Sequence, residues 1–116
     1  MSERLQDMVS AQAHKTPDNR AVVFDKDAVT YAQLDIQSNR LGRMLQAEGC
    51  QTGDRVALVM PKSIEAIVGM LGVLKAGCIY VPIDLDSPSA RVQRIFSASD
   101  PKAVLVAETG SNLLDD

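Results

Sequence analysis

The sequence predicts an α/β fold with a buried parallel sheet, and three neighbouring stretches carry that expectation. Residues 55–60 and 78–83 are apolar runs of strand length, Val-Ala-Leu-Val-Met after Arg55 and then Cys-Ile-Tyr-Val-Pro-Ile. Such runs read as strands covered on both faces. Between them, residues 63–76 form a helix. Its apolar side chains Ile64, Ala66, Ile67, Val68, Met70, Leu71, Val73 and Leu74 cover nearly the whole circumference. A helix that is apolar all round is buried on more than one side. Strand, helix and strand make one βαβ unit, with a right-handed crossover and parallel strands. The whole chain then reads as an N-terminal helix and a short β-hairpin, followed by β-α-β-α-β.

From the start of the chain, residues 3–14 form the first helix, with Leu5, Met8, Val9 and the pair Gln12/Ala13 on one face at helical spacing. Pro17 ends it, because the residue before a proline is pushed out of the helical region. His14 is the single histidine. No Ser, Cys or acid pattern surrounds it, so it reads as an exposed residue at a helix end rather than a general base. Residues 20–25 and 28–30 read as two short strands around a turn at Asp25-Lys26-Asp27. Thr30 with Gln33 three residues on is a capping box: the hydroxyl takes one free N–H and the amide returns to another. The helix it opens runs from 31 to about 48. It carries an apolar stripe of Leu34, Leu41, Met44 and Leu45 and stops at Gly49.

Thr52-Gly53-Asp54 is a turn into strand 55–60, which Pro61 closes, and Ser63 caps the apolar helix. That helix is shorter than the roughly 20 apolar residues a bilayer span needs. Gly69 and Gly72 bare its backbone to a close neighbour, at some cost in helix propensity. Gly77 sits where a helix stop needs a left-handed residue, and Lys75 lies by the negative end of the helix dipole. Pro82 cannot donate to a ladder, so the second strand is expected to end there. Ser87 and Pro88 read as N-cap and first helical position of another helix. Val92, Ile95, Phe96 and Ser99 form its apolar face, and Asp100-Pro101 ends it. Residues 103–107 read as a third buried strand, and the polar residues 108–116 as a frayed helix start or a tail.

The 116 residues suit one domain. At 46% hydrophobic and 23% charged the chain is globular rather than disordered, and with no Trp its core is aliphatic. A net charge of -3, without a basic tract, argues against nucleic-acid binding. The first 20 residues are polar and carry no signal-peptide apolar segment. Cys50 and Cys78 lack metal-type spacing. A disulfide between them stays open, while two reduced thiols fit the cytosolic setting expected of this chain.

The run from Leu74 to Asp84, Leu-Lys-Ala-Gly-Cys-Ile-Tyr-Val-Pro-Ile-Asp, resembles a core motif of the adenylation domains of nonribosomal peptide synthetases. These belong to the adenylate-forming enzymes, with the acyl-CoA synthetases and the luciferases. The ending Val81-Pro82-Ile83-Asp84 resembles the amino-acid-activating branch; the acyl-CoA ligase branch more often has Pro-Leu-Asn-Pro there. Val29-Thr30-Tyr31-Ala32-Gln33-Leu34 is similar to the family's first core motif, usually Leu-Thr-Tyr-x-Glu-Leu, with Val29 and Gln33 as mild departures. Gly53-Asp54-Arg55-Val56 is a further point of likeness. Where the family often reads Asp-Pro-x-x-Pro-x-Glu-Arg, Asp84, Pro88 and Arg91 fit, while Leu85 and Ala90 depart and put the local turn geometry in question.

The resemblance spans essentially the whole chain and only the beginning of a much longer enzyme. It implies the N-terminal subdomain portion of the adenylate-forming fold over residues 1–116. It also implies a part in an ATP- and Mg-dependent reaction. In that reaction a carboxylic acid attacks the α-phosphate of ATP, and the adenylate passes to a phosphopantetheine thiol or coenzyme A. The family's Ser/Thr/Gly-rich phosphate loop, its adenine and ribose motifs and its C-terminal lysine have no counterpart here, nor has its amino-acid pocket. The sequence contains no Gly-Lys-Ser/Thr loop and no G-x-G-x-x-G. Gly69, Gly72 and Gly77 read as packing and helix-stop residues, and Lys62 and Lys75 do not match the catalytic lysine by position. Asp84 and Asp86 follow a parallel strand, where ligands gather; a turn and helix-start role fits them better than a metal site. No catalytic, cofactor-binding or metal residue is therefore assigned.

The partner implied is the rest of the adenylation domain, on the same or a separate chain, with a peptidyl carrier protein as a further one. The first helix begins within a few residues of Met1, which suits a stand-alone or initiating domain. Two other readings stay open. One is a non-enzymatic truncated module that binds a carrier protein or synthetase. The other is an unrelated α/β binding domain of the flavodoxin-like kind.

Overall fold

A computed structural model describes residues 4–24, 26–60, 63–84 and 88–106. The chain runs α1 (Leu5–Lys15), β1 (Arg20–Phe24), β2 (Asp27–Thr30), α2 (Tyr31–Ala47), β3 (Arg55–Val59), α3 (Ile64–Lys75), β4 (Ile79–Ile83), α4 (Ser89–Ser99) and β5 (Ala103–Val106). β1 and β2 pair antiparallel, with Val22 opposite Val29 and Phe24 opposite Asp27. β3, β4 and β5 form a parallel sheet in the order β4-β3-β5. The expected hairpin followed by β-α-β-α-β is thus present. The expected strand end at Asp25 and the expected tail at 108–116 lie outside the described residues.

β3 is the centre of the sheet because, among the described strands, it alone is buried on both faces. Val56 and Leu58 turn toward α3; Ala57 and Val59 turn toward α4. The expectation that all three strands are covered on both faces fails at the two outer ones. Ile79 and Tyr80 in β4, and Val104 and Val106 in β5, are exposed. Pro82 does not end β4 either: the strand runs on to Ile83, with Pro82 opposite Leu58. An outer strand tolerates a proline whose missing N–H points away from its neighbour.

α3 fulfils the expectation of burial on every side. None of its twelve residues is exposed. It touches α1, α2, the hairpin, β3 and β4. Ser63 caps it, its hydroxyl accepting the Ala66 N–H at 3.2 Å. At its far end Gly77 has φ +79. The Gly77 N–H donates to Leu74 C=O and the Cys78 N–H to Val73 C=O, both at 3.0 Å. That is a Schellman stop. α2 ends in the same way: Gly49 (φ +98) donates to Gln46 C=O and Cys50 to Leu45 C=O, both at 3.0 Å. α2 starts with the expected capping box. Thr30 Oγ1 accepts the Gln33 N–H at 3.1 Å, and Gln33 Oε1 accepts the Thr30 N–H at 2.9 Å.

Two other expectations need correction. In α1 the inward face is Val9 and Ala13, with Gln6 and Ser10 half-buried; Leu5 and Met8 are exposed. Of the expected face, the i, i+4 pair Val9 and Ala13 turns inward and Leu5 and Met8 do not. α4 begins at Ser89, with Pro88 at the cap position rather than inside the helix, and Ser87 lies outside the described residues. Its face of Val92, Ile95 and Phe96 does pack on Ala57, Val59 and Ile83. Among the described residues no helix is long and apolar enough to cross a membrane.

The α2–α3 contact is set by glycine. A Cβ on Gly72 would stand 2.7 Å from Leu41 Cδ2 and 2.8 Å from its Cβ and Cγ; one on Gly42 would stand 3.2 Å from Gly72 O. Ser38, fully buried on the same face of α2, satisfies its hydroxyl by donating to Leu34 C=O at 2.7 Å. Gly72→Ala is therefore expected to cost about 2 kcal/mol through overpacking. At Gly69 the nearest atom to a new Cβ is Leu58 Cδ2 at 3.3 Å, the tip of a side chain. There the helix-propensity gain of about 1 kcal/mol offsets the tight contact and the change is near neutral. Urea unfolding of the two variants checks the contrast.

Candidate functional site

The most developed polar cluster joins the three helices at the C-terminal end of α3. Lys75 Nζ donates to Asp35 Oδ1 at 2.7 Å, to Asn39 Oδ1 at 2.8 Å and to Asp35 C=O at 3.3 Å. Ser10 Oγ donates to Asp35 Oδ1 at 2.7 Å from α1, and Gln6 Nε2 reaches Leu74 C=O at 3.3 Å. The side chains of Lys75 and Asp35 are only 10% and 18% exposed. Burial alone would raise the Asp35 carboxyl. Hydrogen bonds from Lys75 and Ser10, with the Lys75 charge, outweigh it and hold that carboxyl below the usual carboxylate value. A cleft of about 270 Å³ lies beside this cluster, bordered by Arg4, Asp7 and Lys75. Ligand pockets commonly hold ~300–1,000 Å³. All three protons of Lys75 already have acceptors, so it offers a ligand no free donor. The cluster ties helices together.

The other singled-out residues are scattered. His14 is exposed near the end of α1. Asp84 is exposed just past β4, α4 has no acidic residue in its first turn, and Asp86 and Lys62 lie outside the described residues. Among the described residues no three His, Cys, Asp or Glu side chains gather as metal ligands would. Cys50 and Cys78 are free and buried, and burial pushes both thiols up. Cys78 Sγ donates to Gln51 C=O at 3.3 Å. Gly69, Gly72 and Gly77 are packing and stop positions, against Leu58, Leu41 and Thr52. Sequence reasoning missed Asp35 and Asn39 as partners of Lys75, and Ser10 as a second donor to Asp35. Asp35 and Asn39 at i, i+4 on α2 were the available signal.

The geometry defines a layered α/β scaffold section with its charges engaged in packing. The chain belongs to the AMP-binding enzyme family, whose model matches residues 9–116. It is 42% identical over 105 residues to tyrocidine synthase 1 of Brevibacillus parabrevis, covering 90% of this chain and 10% of that protein. Among solved structures it superposes on the nonribosomal peptide synthetase FmoA3 with TM-score 0.88 at 37% identity, over 94% of this chain and 12% of that one. It also matches the Klebsiella oxytoca NpsA N-terminal subdomain, solved with 3-hydroxyanthranilyl-AMSN, with TM-score 0.83 at 27% identity, over 92% of this chain and 28% of that one. The chain corresponds to the N-terminal section of an adenylation domain, as its motifs led us to expect. It spans between 2% and 20% of the length of the curated relatives it matches.

Asp35 holds its proton less readily folded than unfolded. Its stabilising effect is therefore full above the ordinary carboxylate range near pH 4 and is lost as pH falls below it. Asp35→Ala should cost about 2 kcal/mol at neutral pH, because it leaves a buried ammonium short of a partner. The gap to the parent chain should narrow as pH falls below the ordinary carboxylate range, as read from urea unfolding at pH 7 and at progressively lower pH.

Proposed function

We propose that this chain is the opening section of an ATP-dependent adenylation enzyme of nonribosomal peptide biosynthesis. The full enzyme activates an amino acid as its adenylate, using ATP with Mg, and hands it to a phosphopantetheine thiol on a carrier protein. The observation that supports this reading most is the family match along residues 9–116, together with relatives that are peptide synthases. The Val81-Pro82-Ile83-Asp84 ending points to the amino-acid branch.

The contribution of this section is structural. Phosphoryl and acyl transfer need donors and a metal ion placed where charge develops. The buried ion pair seen here is spent on holding α1, α2 and α3 together. The rest of the adenylation domain supplies the phosphate loop, the acid pocket and the catalytic lysine, in the same chain or a separate one, in the cytoplasm. Exposed apolar residues on β4, β5 and α1 argue against an autonomous binding module.

The chain alone is expected to show no ATP–pyrophosphate exchange with any proteinogenic amino acid. Placed in a chimera, where it replaces the stretch it matches in tyrocidine synthase 1, it should support exchange. Robust exchange by the isolated chain, or a folded chimera that never exchanges, would count against this reading.

A further inference from the structure

We propose that Cys50 and Cys78 are a redox pair: a small disulfide such as oxidised glutathione converts them to a reversible disulfide that fastens the end of α2 to the end of α3. The pair belongs to the α2–β3 and α3–β4 junctions and does not depend on the adenylation chemistry.

The two junctions are built against each other. The turn that leaves α2 is tied at Gln51, whose N–H donates to Asp54 Oδ2 at 2.8 Å and whose C=O accepts the Asp54 N–H at 2.9 Å. The chain leaving α3 lies along that turn. The Gly53 N–H donates to Gly77 C=O and the Ile79 N–H to Asp54 C=O, both at 2.9 Å. Cys78 sits between those two bonds, and its Sγ donates to the same Gln51 C=O at 3.3 Å. Gln51 is the residue bonded to Cys50, so one sulfur touches the neighbour of the residue that carries the other.

Both thiols are free and buried, and both belong to one apolar cluster with Leu45 and Val73. The Cys78 thiol is pushed up first by burial and then by a charge on Cys50, which agrees with two sulfurs close enough to sense each other. The sequence holds two cysteines, and the fold brings them to one place. To close the bond, Cys78 Sγ gives up the Gln51 C=O and turns to Cys50.

Cys50 reacts first. Its neighbours Glu48, Gly49, Gln51 and Thr52 are exposed, so a brief opening of this turn brings its sulfur to solvent. The Cys50 thiolate attacks one sulfur of the small disulfide, forming a mixed disulfide and releasing one small thiolate. The Cys78 thiolate then attacks the Cys50 sulfur and releases the second. The two protein thiols lose two electrons, the small disulfide gains them, and the two protons pass to the released thiolates. Where a glutathione pool keeps thiols reduced, such bonds are transient and sense the redox state rather than persist.

Equilibration of the 116-residue chain with mixtures of reduced and oxidised glutathione, in native buffer and in urea, tests this. The products are read by intact mass and by the mass of the crosslinked peptide. The internal bond should appear as the loss of two hydrogens, joining Cys50 to Cys78. The unfolded chain already holds the two thiols together through the residues between them. The equilibrium constant in native buffer should therefore exceed that in urea by at least about tenfold for folding to favour the pair. Linkage then gives the oxidised chain the same factor in its folding equilibrium, read as a higher urea midpoint. Cys78→Ser should stop at a glutathione adduct on Cys50. Equal constants in native buffer and urea overturn the proposal, because chain linkage alone then brings the thiols together. So do glutathione adducts or disulfide-linked dimers in place of the internal bond, and so does a lower urea midpoint for the oxidised chain. The parent-chain equilibria decide the point even where Cys78→Ser fails to fold.

Discussion

Gly42 and Gly72 let α2 and α3 approach until the Gly72 carbonyl lies against the α2 backbone and Leu41 fills the space a Cβ would take. At that distance dispersion contacts run backbone to backbone, and the two helices act as one slab. α2 seals one side of α3 and the sheet seals the other. The hairpin and α1 close what is left. The remaining elements are placed by the need to cover α3: β3 must be apolar toward it, and Leu34, Leu41 and Leu45 must fall on one stripe of α2.

The charge distribution follows from the same arrangement. Lys75 at the end of α3 is mostly covered, so Asp35 and Asn39 accept its protons, and Ser10 donates to Asp35 in turn. A buried ion pair contributes little net stability against an apolar alternative, but breaking it is costly. What it adds is a fixed seating of three helices on one another. That is a scaffold's use of charge.

Much of this was legible in the sequence, for reasons that are local. Thr30/Gln33, Ser63, Gly49 and Gly77 announce helix ends through their own backbone chemistry, and each does what its type predicts. The apolar circumference of α3 announced its depth. The misses came where a neighbour decides. A continuous apolar run does not say whether a strand is central or outer, so β4 and β5 read as covered although only β3 is. Pro82 looked like a terminator because the direction of its missing N–H depends on which side the partner strand lies. Gly42 and Ser38 look ordinary until α3 is laid across them. Of the polar cluster, the sequence showed only Lys75 at its helix end. Lys75 was placed by the helix dipole alone, its partners Asp35 and Asn39 being 40 and 36 residues distant in sequence.

The two Schellman stops have one further property. In each, the residue after the left-handed glycine is a cysteine, and it is buried: Cys50 behind α2 and Cys78 behind α3. That position commonly packs an apolar side chain back onto the last helical turn, and here a thiol does so. Its reactivity is suppressed by the same burial that closes the turn. The chain thus carries two native reporters, one per helix end. The rate at which each sulfur takes up an alkylating label reads the opening of its own helix stop, with no engineered probe and with the two ends told apart by peptide mass.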